Sequence, residues 1–339
     1  MYPLVIAVML VAQIDISGYV ETRPYIAWGD STNAFGSNRG WIEFKTDEQN
    51  YGGQVAFDLS LPYDTTSLSY AESNIGISRL ALWLGPENLR LVAGKQRLYW
   101  GVARVFKPLD IFNPVNYYEP GYEKPGSNAL LGYAALGSLT SIRAIIVPRF
   151  RIRESIGGVR FGSHLIRNDI GLNIIHQRSP EKTIAGFELA GELSVGYWGE
   201  FSYEWEDSTQ YAKVSVGVDY TFPFLLYAMV EYFFDESGES DWHDYDISEI
   251  SDGTRMTLAQ QYLYLSLGLA YNPFFRPVVN AIVNADDGGV ILIPQVSYAI
   301  FDNAELVSGL NFFLGPETSE FRSIVPYDGQ GYIWAKVYF

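Results

Sequence analysis

The chain has no cysteine and only three histidines in 339 residues. The first absence removes disulfides and thiolate metal sites. The second leaves little for imidazole chemistry. His164, His176 and His243 stand in no Gly-x-Ser-x-Gly or His-Glu-x-x-His context, and no glycine-rich phosphate loop is present. His176 lies near Ser179, but no recognisable catalytic motif surrounds the pair. We therefore expect no enzyme activity, no cofactor and no metal. Basic residues are scarce too: 23 Lys and Arg stand against 39 Asp and Glu, a net charge of −16. That balance argues against a nucleic-acid partner, whose phosphates call for cations. Long apolar runs are also missing. The one run able to act as a targeting helix, residues 1–12 (MYPLVIAVMLVA), is too short to span a bilayer as a helix. It reads as a signal peptide without Lys or Arg ahead of its apolar core, or else as a first buried strand.

Aromatics are abundant, at 16% with 25 Tyr, and mean hydropathy is +0.00. The ordering of residues explains that balance. In Trp198–Glu206, Glu200, Ser202, Glu204 and Glu206 share one parity, and Phe201, Tyr203 and Trp205 share the other. A period of two places the acids on one face of a strand and the aromatics on the opposite face. The same dyad recurs as Lys213, Ser215 and Asp219 against Val214, Val216, Val218 and Tyr220, and as Glu231 against Val230, Tyr232 and Phe234. No helical stretch intervenes. Strand after strand with one apolar and one polar face predicts an all-β chain: a transmembrane antiparallel up-and-down β-barrel, apolar outside and polar inside.

The alternation marks about 18 strands (16–18): Ile14–Arg23, Gly40–Thr46, Gly52–Leu61, Ile77–Leu84, Leu89–Trp100, Leu130–Leu136, Thr140–Arg149, Ile156–Gly162, Asn168–His176, Thr183–Leu193, Trp198–Glu206, Tyr211–Phe222, Leu225–Asp235, Leu258–Tyr271, Val278–Ala285, Val290–Ile300, Glu305–Leu314 and Gly331–Phe339. The barrel would occupy residues 14–339. Short turns, such as Pro86–Asn88 and Asp302–Asn303, alternate with longer polar loops, such as Pro62–Asn74, Glu236–Met256 and Gly315–Gln330. That asymmetry places the short connections on the periplasmic side and the long ones outside. The acidic stretch Asp235–Arg255 lacks calcium-loop spacing and reads as a solvated outer loop.

Residues 101–128 break the pattern. They are long, irregular and rich in Pro, Asn and Gly, yet too apolar for a freely solvated loop. We expect them to fold inward as a constriction carrying Trp100, Arg104, Phe106, Asp110, Phe112 and Asn113; packing on the outer rim is the other reading. Gly94-x-Gln96-x-x-x-Trp100-Gly101, followed by Asp110-x-x-Asn113-Pro114 and by Val147-Pro148-Arg149-Phe150, resembles a motif of porin-like outer-membrane proteins of uncharacterised function. The resemblance covers about 60 residues and implies a pore-like barrel, but no substrate. The final strand, ending in Phe339, is similar to the C-terminal signal that such barrels present to their assembly machinery.

Applying the dyad yields a lining. Lys95, Arg97, Arg143, Arg160 and Arg167 form a basic arc; Glu188, Glu192, Glu200, Glu204 and Glu231 form an acidic arc. Opposed arcs across water would set up a transverse field that selects polar or charged solutes. A narrow lumen would instead pair them into a closed network. The expected role is passive or weakly selective diffusion of small solutes across the outer membrane, with lipid around the barrel and a homotrimer compatible with the fold. Export or lipid handling with periplasmic partners, and adhesion through the outer loops, are the alternatives.

Overall fold

The computed structural model describes residues 13–64, 69–70, 74–112, 124, 126–206, 209–251, 255–269 and 272–339. The expected signal peptide and Asn113 lie outside the described residues. The strands are β1 (Asp15–Trp28), β2 (Thr32–Asp47), β3 (Tyr51–Asp64), β4 (Ser69–Tyr70), β5 (Asn74–Leu84), β6 (Leu89–Gln96), β7 (Ser127–Ala135), β8 (Thr140–Val147), β9 (Ile156–Leu165), β10 (Asn168–Arg178), β11 (Glu181–Glu192), β12 (Gly196–Glu206), β13 (Thr209–Thr221), β14 (Leu226–Asp235), β15 (Gln261–Leu269), β16 (Phe275–Asn284), β17 (Val290–Phe301), β18 (Ala304–Leu314) and β19 (Gly329–Tyr338). Consecutive strands neighbour one another, and β19 pairs antiparallel with β1 from Tyr19↔Tyr338 to Trp28↔Gly329. Gly18 and Phe339 close the seam with reciprocal backbone hydrogen bonds of 2.9 and 3.0 Å. β4 is a two-residue piece on β3, and β3 also pairs with β5, which leaves a closed antiparallel barrel of 18 strands.

Two five-residue helices, α1 (Ile247–Ser251) and α2 (Glu320–Ile324), sit in connections. No helix among the described residues is long and apolar enough to cross a membrane. Connections on the side of the termini are all short, including 85–88, 136–139, 166–167 and 302–303; the long ones, 97–126, 236–260 and 315–328, all lie at the opposite strand ends.

Each strand sorts its side chains by parity. On β10, Gly171, Asn173 and Ile175 are buried on one face, while Leu172 and Ile174 are 53% and 64% exposed on the other. Val159 and Phe161 on β9, Leu265 and Leu267 on β15, and Ile333 and Val337 on β19 continue the exposed apolar face. Glu188, Glu200, Ser202, Glu204, Ser215, Glu231, Asn284 and Asn311 are buried. Apolar side chains outside and carboxylates inside invert the arrangement of a soluble protein and fit a lipid-facing wall.

The predicted strands all exist, with shifted ends. β2 begins at Thr32, ahead of the predicted Gly40. β6 stops at Gln96 instead of Trp100, because the chain leaves the wall there and turns inward. Long-range contacts divide the chain into two compact units, Met1–Ile16, Glu43–Phe57 and Ile77–Val216 in the first, and Ser17–Ile42, Asp58–Gly76 and Gly217–Phe339 in the second.

If the exposed parity meets lipid, Ile174→Arg near the middle of β10 costs about 2–4 kcal/mol. Gln177→Arg on the opposite parity stays within about 0.5 kcal/mol of the parent. Urea titration in lipid vesicles reads both, and equal costs would break the assignment of faces.

Candidate functional site

In the first unit, the chain from Arg97 to Phe112 is irregular and lays apolar side chains against the wall. Leu98, Trp100, Leu109 and Phe112 pack with Ala129, Ile145, Val147, Ile156, Ile175 and Ile184, all buried. The wall residues among them lie on the inward parities of β7 to β11, where the dyad rule calls for polar groups. They are apolar because the loop covers them. Trp100 and Phe112 meet edge to face at 5.0 Å. Gly186 lies under Leu109: any Cβ there would overlap the leucine side chain. The loop segment up to residue 112 thus folds inward, as expected, and Trp100, Phe106, Asp110 and Phe112 are buried. Arg104 stacks over the Trp198 ring at 5.1 Å.

A wall carboxylate pins this loop. Glu200 Oε2 accepts hydrogen bonds from the backbone N–H of Val102 and Ala103 at 2.8 and 3.0 Å, and Oε1 accepts from Leu109 N–H at 2.7 Å. The approach is so close that Gly101, at φ +93°, has no room for a Cβ against the carboxylate. Within the loop, Lys124 donates to Asp110. Burial pushes the Asp110 carboxyl above its ordinary value despite the ammonium beside it, and pushes the Lys124 ammonium below its own.

The charged wall flanks the loop. Arg160 Nη2 meets Glu188 Oε2 at 2.7 Å, and Asn173 Nδ2 donates to Glu188 Oε1 at 2.6 Å. Arg143 is the cross-strand neighbour of Arg160, lies over Tyr133 at 5.7 Å, and forms no ion pair with a described residue. Lys182 pairs with Glu204 and Glu206 at 2.7 and 3.2 Å, and Lys213 lies 3.7 Å from Glu204. The expected separation into a basic and an acidic arc is therefore broken where Arg160 and Glu188 neutralise each other. Glu231 is buried on β14, in the second unit; Glu192 is exposed as the last residue of β11, on the inward parity.

Two expected lining residues sit elsewhere. Lys95 shares the parity of Leu89, Leu91 and Ala93, the outward one, and donates to Ile77 O at 2.6 Å. Arg167 occupies the turn between β9 and β10 at φ 66°, where the strand alternation no longer applies. A cavity of about 500 Å³ opens between Arg97–Trp100 of the loop and Arg90, Tyr133 and Arg143 of the wall. A second, of about 340 Å³, is lined by Arg160, His164 and Asp169 among others. Arg90 escapes the sequence reading, although it lies on the inward parity of β6. The histidines engage ordinary polar partners: His164 with Asp169, His176 with Thr183 and His243 with Asp241.

The second unit is lined differently. Glu21 forms ion pairs with Arg23 at 2.8 Å and, more loosely, with Arg39 and Lys336 at 3.9 and 3.8 Å. Rings fill the spaces between these charges. Lys336 lies 3.4 Å from the Tyr19 centroid, Arg23 lies 4.8 Å from that of Trp334, and Tyr332 stacks on Trp334 at 4.5 Å. Near α2, the buried Glu320 carboxylate accepts from Tyr262 Oη at 2.5 Å, Asn284 Nδ2 at 2.8 Å and Leu258 N–H at 3.1 Å. Alternation on β1 signals Glu21 and Arg23. Nothing periodic marks Glu320, the first residue of the short helix α2.

No family model matches the sequence, and no curated protein matches it. Solved structures do match. OccK3 (OpdO) of Pseudomonas aeruginosa is 9% identical with a TM-score of 0.67, covering 100% of this chain and 98% of that one. The outer membrane protein OprD of the same organism is 8% identical with a TM-score of 0.64, covering 98% and 96%. Salmonella typhi OmpF, solved in complex with daunomycin, is 13% identical with a TM-score of 0.56, covering 97% and 98%. At these identities the likeness shows the fold: this chain has the barrel fold of outer-membrane porins.

Glu200→Ala removes one acceptor from three amides. At about 1.5–3 kcal/mol for a hydrogen bond to a charged group, hydrogen exchange at Val102, Ala103 and Leu109 speeds up at least ten- to hundredfold; unchanged protection would dismiss the pin. For the buried pair, the signs come from the two shifts. A raised Asp110 value removes stability as pH climbs through it, and a lowered Lys124 value removes stability as pH falls through it. Both costs apply when the pair is fully charged. Asp110→Asn alone strands Lys124 and costs about 3–5 kcal/mol. The double change Asp110→Asn with Lys124→Met is neutral or stabilising, read by denaturant midpoint and loop proteolysis.

Proposed function

We propose that the chain is an integral outer-membrane protein and a channel through which small polar or charged solutes diffuse passively or with weak selectivity. The observation that carries this reading is the cavity left beside the pinned loop, with Arg90, Arg97 and Arg143 around it. A loop held against one arc of the wall narrows a passage without needing to seal it, and the space that remains is lined by three arginines together with Glu87 and the rings of Tyr99, Trp100 and Tyr133. Arg143 has no ion-pair partner among the described residues, so its field reaches a passing solute. Arg160 has its charge neutralised by Glu188 and serves mainly to hold the wall.

Small-solute passage also agrees with the fold shared with outer-membrane porins. The outward apolar parity meets lipid. The last strand, β19, with Phe339 directly after it, is the element offered to the barrel-assembly machinery, and association into a homotrimer fits such a barrel.

Single-channel recording on the purified protein in planar bilayers tests the reading. The wild type conducts without a partner, and Arg97→Glu with Arg143→Glu shifts the reversal potential in a salt gradient toward cations, changing the permeability ratio several-fold, on the order expected when the sign of a lining charge is reversed. A silent wild type refutes the channel, and unaltered selectivity removes these two arginines from the passage. Arg160→Glu is expected to fail for another reason: it leaves Glu188 buried beside a like charge, and the barrel unfolds at lower denaturant.

A further inference from the structure

The run Val147-Pro148-Arg149-Phe150 leaves one feature that the channel does not use. Val147 ends β8 as a buried residue of the loop-facing core. Pro148, which has no N–H to donate, begins the connection to β9. From there the chain reads Arg149, Phe150, Arg151, Ile152, Arg153 and Glu154, with a 3-10 turn at Ile152–Glu154. Phe150 is fully exposed and Ile152 is 87% exposed. A fully exposed phenylalanine close to an exposed isoleucine in so short a connection calls for a covering surface. The charge is just as unusual: three arginines within five residues, in a chain whose net charge is −16. Arg151 lies 3.4 Å from Glu154 with both side chains well exposed, which leaves its charge open to an outside partner. Arg149 and Arg153 form no ion pair with a described residue.

The strands below this connection show what the surface is. Ile146 on β8 and Val159 and Phe161 on β9 expose their side chains on the outward parity. The connection lies at the strand ends opposite the termini. Basic residues alternating with large apolar ones, set directly above an apolar wall, match an anionic headgroup layer over acyl chains. We propose that residues 149–153 form a binding surface for a phosphorylated lipid headgroup of the outer leaflet, the guanidinium groups taking the phosphates and Phe150 and Ile152 entering the boundary with the acyl chains. This rests on the outer-membrane location in the proposed function, with the connections opposite the termini facing outward, though not on conduction.

Native mass spectrometry of the full chain in a neutral detergent reads the binding, with bis-phosphorylated lipid A as probe and its dephosphorylated form and phosphatidylcholine as controls. Wild type retains lipid A in preference to both controls. Arg149→Gln, Arg151→Gln and Arg153→Gln together weaken retention at least tenfold, taking about fivefold per basic residue near an anionic surface as the upper scale. Phe150→Ser with Ile152→Ser weakens lipid A retention as well. Heat-modifiable gel mobility shows that each variant is folded. Equal retention by the triple variant overturns the proposal. So does full competition by inorganic phosphate, which assigns a soluble anion, or retention that requires the polysaccharide and ignores lipid A. Single-channel conductance of the triple variant is expected to equal that of the wild type. Wild type that conducts but shows no preference for lipid A sinks the lipid site alone, and wild type that prefers lipid A but does not conduct sinks the channel alone.

Discussion

A strand in contact with lipid cannot leave its backbone polar groups unpaired, since no water is present to satisfy them. The pairing of β19 with β1 removes the last free edge, and that closure governs most of the remaining structure. Once the ring is closed, the two faces of every strand meet different solvents. A shift of one residue in any register would put Glu188 and Glu200 into lipid and Phe187 and Phe201 into the interior, an exchange no strand could tolerate. The pairing Glu188↔Glu200 on neighbouring strands also shows that the interior does not sort its charges by simple cross-strand complementarity. Each acid finds its partner elsewhere: Glu188 in Arg160 and Asn173, Glu200 in three loop amides.

That closure also explains which parts of the molecule are legible in the sequence. Period two is imposed on every spanning strand, so strand number, the outward set and the inward position of Glu188, Glu200, Glu204 and Glu231 can all be read from it. The rule fails wherever something other than water fills the interior. Ile145, Ile156, Ile175 and Ile184 are inward and apolar because the loop from Arg97 lies on them, and a dyad count cannot know that a distant segment returns. It also fails at strand ends. Lys95 looks like a lining residue only through its charge, since Leu91 and Ala93 share its parity and face outward; Arg167 belongs to a turn. Arg90 is hidden for the converse reason, standing between two leucines in a strand whose apolar face dominates the pattern.

The two units solve the problem of an inward connection with the same chemistry and opposite polarity. In the first, the carboxylate belongs to the wall and the donors are backbone amides of the loop. In the second, the carboxylate of Glu320 belongs to the connection, and the donors Tyr262 and Asn284 belong to strands. A buried carboxylate suits either role. It offers about four acceptor sites on two oxygens, and a charge-assisted bond is roughly twice as strong as a neutral one. One side chain can therefore gather several donors that irregular backbone would otherwise bury unsatisfied.

The same chemistry separates anchoring from selection among the interior charges. A charge with a close partner has spent its field locally: Arg160 against Glu188, and Lys182 against Glu204 and Glu206. Such groups hold strands in place and present little to a solute. Arg143 differs. Its cross-strand neighbour is another cation, and its contact with the Tyr133 ring leaves the guanidinium positive. Two like charges side by side repel unless an anion lies between them or water screens them. The cavity beside the loop, which Arg143 lines and Arg160 does not, gives Arg143 room for either. In the channel proposed above, selection would therefore rest on Arg143 and its neighbours in that cavity more than on the total charge of the lining.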